Sequence, residues 1–208
     1  MPTLEFDERK LLTDLEQMTD RLRAAFAAAC AERQFQCYVR YSEVSKNGDH
    51  HKLARALGCI WEDLGKAQAD YTALERQLEV CMSLLPSADV DELGDSVFAE
   101  NAVASVAFAI RTRITGVSQE AIWAARRAYE SLDHYVTNRL NPIIIGRPNV
   151  EARILAHPLV QAELKRQQVD LSQLHAAATT SASESEAIDQ LHLHSQNDAP
   201  HFLDAKLL

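Results

Sequence analysis

An all-α, single-domain bundle of about seven helices around a buried central helix is the fold this sequence predicts. Three observations predict it. The stretch 96–116 has no charged side chain between Glu100 and Arg111. Within it Ala102, Val103, Val106, Ala107 and Ile110 recur at helical spacing, and Phe108 and Ala109 leave little of the other face polar. A helix apolar nearly all round belongs among other helices. Gly and Pro number only six each in 208 residues, few for a turn-rich all-β fold. Ala, Leu, Glu, Gln and Arg, all strong helix formers, are plentiful. Finally, apolar residues recur at three- and four-residue steps in segment after segment.

In chain order, Leu11, Leu12, Leu15 and Met18 give 7–18 the stripe of a short amphipathic helix. Thr19 or Asp20 can cap the next helix, whose stripe is Leu22, Phe26, Ala29 and Cys30. Around Gln34 the pattern changes phase to Phe35, Tyr38, Val39 and Ser42, which predicts a kink or break. Asn47-Gly48 is a turn signal. Asp49 then caps a helix with Leu53, Leu57, Ile60, Trp61 and Leu64 on one face, and Lys52, Arg55, Glu62 and Asp63 outside it. Asp70 starts another, carrying Tyr71, Leu74, Leu78, Cys81 and Leu85 until Pro86 stops it. After an acidic turn and the central helix, Gly116 is a natural C-terminal stop. Ser118 is expected to cap the following helix, with Glu120 at the positive end of its dipole. Its face is Ile122, Ala125, Tyr129, Leu132 and Val136, which puts Arg126 and Arg127 at or near the surface.

The loop 141–148, NPIIIGRP, breaks helix and carries three isoleucines, to tuck under the bundle or to form a contact patch. A last helical pair is joined at His157-Pro158, with Val160, Leu164, Leu171 and Leu174 to pack it back. From Ala177 the chain turns Ser-rich and polar. Residues 1–176 therefore read as the bundle and 177–208 as a disordered tail.

The formal net charge of −9 argues against nucleic acid and against an anionic membrane surface, and suits a basic protein partner or simply keeping the protein in solution. The longest uncharged apolar stretch in the domain, 101–110, is about half of what a membrane span needs. The N-terminus lacks the apolar segment of a signal peptide, and Cys30, Cys37, Cys59 and Cys81 form no C-x-x-C pair. Buried free thiols in a reducing cytoplasm are expected.

The sharpest chemical pattern is 89–100, DVDELGDSVFAE. In a twelve-residue calcium-loop register it places Asp89, Asp91 and Glu100 at positions one, three and twelve, with Gly94 at six and Asp95 at seven. Leu93 at position five has no oxygen to offer, so a solvated acidic turn is expected, and no metal or cofactor. Glu100 and Asn101 stand at the mouth of the bundle, where Asn101 can bond across to a neighbouring helix. Trp123 with Arg126 and Arg127 has the aromatic-plus-arginine character of a partner-binding patch. The histidines, His50, His51, His134, His192 and His194 among them, do not converge. No P-loop, dinucleotide fingerprint, G-x-S-x-G or H-E-x-x-H occurs, and no catalytic residue is assigned.

Five pieces in order, AAACAER (27–33), GCIWEDL (58–64), LLPSADVDELG (84–94), RTRITG (111–116) and HPLVQAEL (157–164), resemble the YjaG-like family of bacterial proteins, catalogued as domain of unknown function 416. The resemblance covers 7–176 and implies a small, soluble, all-helical protein. It supplies no catalytic residues, and gene neighbourhood in the family suggests a link with histidine-kinase signalling. The expected function is a cytoplasmic, non-catalytic protein-interaction or regulatory module, compatible with a homodimer. The alternatives are an immunity or antitoxin-like inhibitor of a basic toxin, and a small enzyme or ligand-binding bundle.

Overall fold

Four helices begin where short polar side chains can take up free backbone N–H groups. Asp7, Thr19, Asp49 and Asp70 each accept such a bond. They open α1 (Glu8–Glu16), α2 (Asp20–Ser45), α3 (His50–Leu64) and α4 (Tyr71–Ser83). There follow α5 (Ser96–Thr115), α6 (Ser118–Tyr135) with a π-helical turn Val136–Leu140, α7 (Val150–Leu155), α8 (Pro158–Ala177), α9 (Ser181–Asp198) and a 3-10 turn Ala199–His201. The computed structural model describes residues 3–86, 96–140, 149–178 and 181–203, and no strand occurs among them. The acidic turn up to Asp95 and the NPIIIGRP loop lie outside the described residues.

The middle of the bundle is shared. Helix α5 is buried along most of its length, but Glu100, Arg111 and Thr115 are exposed and Ala104 and Phe108 half-buried, which leaves it one narrow wet strip. Helix α2 is the more enclosed of the two. Every side chain from Ala24 to Ala31 is fully buried, and α3, α5, α6, α8 and α9 all pack on it. Its alanines let those neighbours approach closely. This enclosure also corrects the expected break at Gln34, because α2 runs unbroken for 26 residues. A change of stripe interrupts a helix that has one dry face, and α2 is dry on several.

The expected disordered tail is corrected as well. Helix α9 folds back onto α2 and α8. Ile188, Leu191, Ser195, Ala199 and Phe202 fall at steps of three and four and are all buried. Burying an Ile, Leu or Phe side chain contributes about 1.5–3 kcal/mol, which offsets the ordering cost that the polar composition made look prohibitive. Thr19 Oγ1 and Arg21 Nη2 donate to Glu184 and Ser185 at 3.1 Å each and seat the start of α9. The body therefore extends to Leu203.

Two smaller expectations also change. Val117, not Ser118, occupies the N-cap of α6, and no side chain bonds there. Asp63, off the apolar stripe of α3, is nevertheless buried. The four cysteines are free, with Cys30, Cys37 and Cys81 buried and Cys59 half-buried. Burial pushes the Cys81 thiol up to about 12.

Candidate functional site

A buried arginine needs both its charge and its five N–H donors answered. Arg33, on α2, is fully buried against α8. Its Nε donates to Glu163 Oε2 and its Nη2 to Glu163 Oε1, each at 3.0 Å, and Nη1 lies 2.8 Å from Asp170 Oδ2. Burial works against the guanidinium charge, but Glu163 and Asp170 outweigh it and hold Arg33 protonated. Burial raises the Asp170 carboxyl, and Arg33 opposes that rise. Gln167 Nε2 adds a bond to Glu163 at 3.0 Å, and Arg166 links Glu163 to Asp198 at the edge. Burial pushes the neighbouring Cys30 thiol far up, so it is no thiolate nucleophile.

A second buried pair joins α3 to α5. Asp63 Oδ2 accepts from Arg113 Nε at 2.7 Å, and Asp63 Oδ1 accepts from the Asp70 amide at 2.7 Å. Asp63 is buried because Arg113 comes from another helix to meet it. Arg33 and Glu163 belong to the pieces AAACAER and HPLVQAEL, and Asp63 and Arg113 to GCIWEDL and RTRITG. Four of the five pieces that carry the family resemblance thus meet pairwise at dry ion pairs.

A polar thread that ends on Arg127 links α2, α5 and α6. Gln34 Nε2 donates to Ser105 Oγ at 2.6 Å, and Ser131 Oγ donates to Gln34 Oε1 at 3.2 Å. Asn101 Nδ2 donates to Ser131 Oγ at 3.1 Å, and Arg127 Nη1 donates to Asn101 Oδ1 at 3.2 Å. Asn101 bonds across to α6 as expected. Glu100, beside it, points to solvent. Asp89, Asp91 and Asp95 lie outside the described residues.

The expected Trp123–Arg126–Arg127 group is divided. Arg126 turns toward α1, where its Nε donates to Glu8 Oε1 at 2.8 Å and its guanidinium lies over the Phe6 ring. Trp123 packs on Phe108 of α5 with ring centroids 5.4 Å apart and stays 37% exposed. Arg111, one turn on from Phe108, binds Glu120, and Arg127, one turn on from Trp123, binds Asn101 and Glu130. The outer face of α5 and α6 therefore presents two aromatic rings between two arginines.

Sequence reasoning missed the other half-exposed assembly, where α9 meets α2 and α3. Trp61 Nε1 donates to Glu32 Oε2 at 2.8 Å, and the His192 ring stacks on Trp61 at 4.2 Å. His192 Nε2 lies 3.9 Å from Glu32 Oε2. Burial raises the Glu32 carboxyl and lowers His192. His194, two residues on, is exposed, so the tail H-x-H does not converge on one point. Among the described residues no group of three or more His, Cys, Asp or Glu is placed to hold a metal ion.

The family model described as a protein of unknown function (DUF416) matches residues 10–199, a span that includes α9. No curated protein matches the chain. Among solved structures, a DUF416 family protein from Shewanella baltica OS155 is similar in fold, with a TM-score of 0.74 at 17% sequence identity. The match covers 88% of this chain and 93% of that one.

Proposed function

This chain belongs to the DUF416 family of proteins of unknown function, and within that family we propose that it is a non-catalytic protein-interaction or regulatory module. The observation that carries the reading is the α5–α6 outer face. Trp123 is the one tryptophan left more than a third exposed, seated on Phe108 with Arg111 and Arg127 one turn away. Tryptophan and arginine dominate the few residues that hold protein interfaces together. The buried carboxylates Glu163, Asp170 and Asp63 bind guanidinia of the same chain, which suits scaffolding better than proton transfer. The free cysteines favour a reducing, cytoplasmic setting. A second reading, inhibition of a basic toxin enzyme, draws on the net charge of −9.

The test is a pull-down at native expression with the full chain and with Trp123→Ala, read by quantitative mass spectrometry. A partner held by the native chain is expected to fall at least tenfold with the variant, at unchanged helicity. Equal recovery of every captured protein by both baits overturns the assignment to this face. A toxin enzyme as the captured protein moves the function to the second reading.

A further inference from the structure

Helix α1 packs against α6, while its other side and α8 enclose a groove of about 370 Å3. The groove is built from two helical ridges. Positions 7, 10, 11 and 14 line it from α1 and its N-cap, and 164, 167, 168, 171, 172 and 175 line it from α8. Both sets step by three and four, and the α8 run from Leu164 to His175 is about 16 Å long at 1.5 Å per residue. A trough of that length between two ridges is the seat that a third helix takes when it packs into a groove. Its floor is apolar, made by Leu11, Leu164 and Leu171.

Its rim is acidic. Glu5, Asp7 and Asp14 line its α1 side together with one Lys10. Asp7 Oδ1 is occupied by the backbone amides of Arg9 and Lys10. Glu5 and Asp14 make no hydrogen bond or ion pair with any described residue, so their charge is available. A further polar group lines the groove: Gln167, only 2% exposed. Its Nε2 donates to Ala125 O at 3.2 Å and Glu163 Oε1 at 3.0 Å, and since both partners are acceptors the nitrogen is fixed there. Its amide oxygen accepts from no described residue.

We propose that the α1–α8 groove receives a basic amphipathic helix of a partner protein, its apolar face on Leu164 and Leu171 and its lysines or arginines toward Glu5 and Asp14. This rests on the interaction reading above and names the chemistry of a partner at a different face. The opposite-charge rim steers a basic helix in and rejects an acidic one. The length of the trough and its leucine floor fit a helix of about three turns rather than a free polyamine.

The probes are three fluorescein-labelled peptides of 15 residues with one shared leucine face and a lysine, glutamine or glutamate polar face. Titrated with the full chain, the lysine peptide is expected to bind at least tenfold tighter than the glutamine peptide and the glutamate peptide weakest. The double variant Glu5→Lys/Asp14→Lys, and separately Ser172→Arg at the exposed rim, are each expected to cut that binding about tenfold with helicity retained. Trp123→Ala is expected to leave it unchanged, so the groove and the α5–α6 face fail or succeed separately. The groove is overturned if the lysine and glutamine peptides bind alike, if the rim variants leave binding intact, or if Trp123→Ala abolishes it. Displacement by spermidine beyond that by sodium chloride at equal ionic strength would also overturn it, in favour of a free polyamine.

Discussion

The Arg33 cluster and the Trp61–His192 stack both fasten a late helix onto α2, and they do so in opposite surroundings. Arg33, Glu163 and Asp170 are dry, and the guanidinium is held by two carboxylates. The His192 ring keeps about a third of its side chain exposed and carries a proton whose binding depends on pH. The first joint is held by charges that cannot leave without great cost. The second is held by burial of an aromatic surface, which favours the neutral ring. One fold thus contains a permanent joint at α8 and a conditional one at α9.

Breaking the dry joint should have the largest effect. Arg33→Met removes the guanidinium that Glu163 and Asp170 share and leaves Glu163 only Gln167 and the edge contact to Arg166, and removing one member of a buried pair costs about 3–5 kcal/mol. Urea unfolding is expected to show that loss, and the triple variant Arg33→Met/Glu163→Gln/Asp170→Asn is expected to recover much of it. A triple variant no more stable than Arg33→Met would mean that the joint depends on shape and not on charge. Leu191→Ala, which hollows the α9 seam, comes next at about 2–4 kcal/mol. Hydrogen exchange should localise its effect to α9 and the facing turns of α2 and α3, with α5 protected as before. Uniform loss of protection would show that α9 and the core unfold as one unit.

The smallest effect sharpens the comparison through pH. Burial depresses His192 below its ordinary value near 6.5. The unfolded chain then binds the proton more readily, so stability is complete above about pH 6.5 and is lost as pH falls through the folded value. Glu32 acts in the opposite sense, because burial raises its carboxyl and protonation relieves that penalty. Exchange protection of α9 is expected to decline between pH 7.5 and 5.5, and His192→Gln to flatten the decline. An identical decline in the variant would remove His192 from the explanation.

Local signals were legible in the sequence, and distant ones were not. The caps at Thr19, Asp49 and Asp70 act within one turn, so four adjacent residues reveal them. The apolar face of α3 and the cross-helix role of Asn101 could be read for the same reason. The break placed at Gln34 came from assuming that a helix has one dry side, and α2 does not. The tail was misjudged on composition, because Ile188, Leu191 and Phe202 are sparse among Ser, Glu and His although their spacing is regular. Arg33 and Glu163 are 130 residues apart, and Asp63 and Arg113 are 50 apart. No local pattern pairs them, although the family resemblance had already picked out the four pieces in which they lie.

The enclosure of α2 also bears on how the protein is made. The alanine-rich segment leaves the ribosome before α5, α6, α8 and α9, which cover it, have been translated. For that interval the nascent chain carries an uncovered, sticky rod whose partners do not yet exist. Folding must wait for distant contacts, and the growing chain becomes a natural client for whatever shields exposed apolar surface at the tunnel exit.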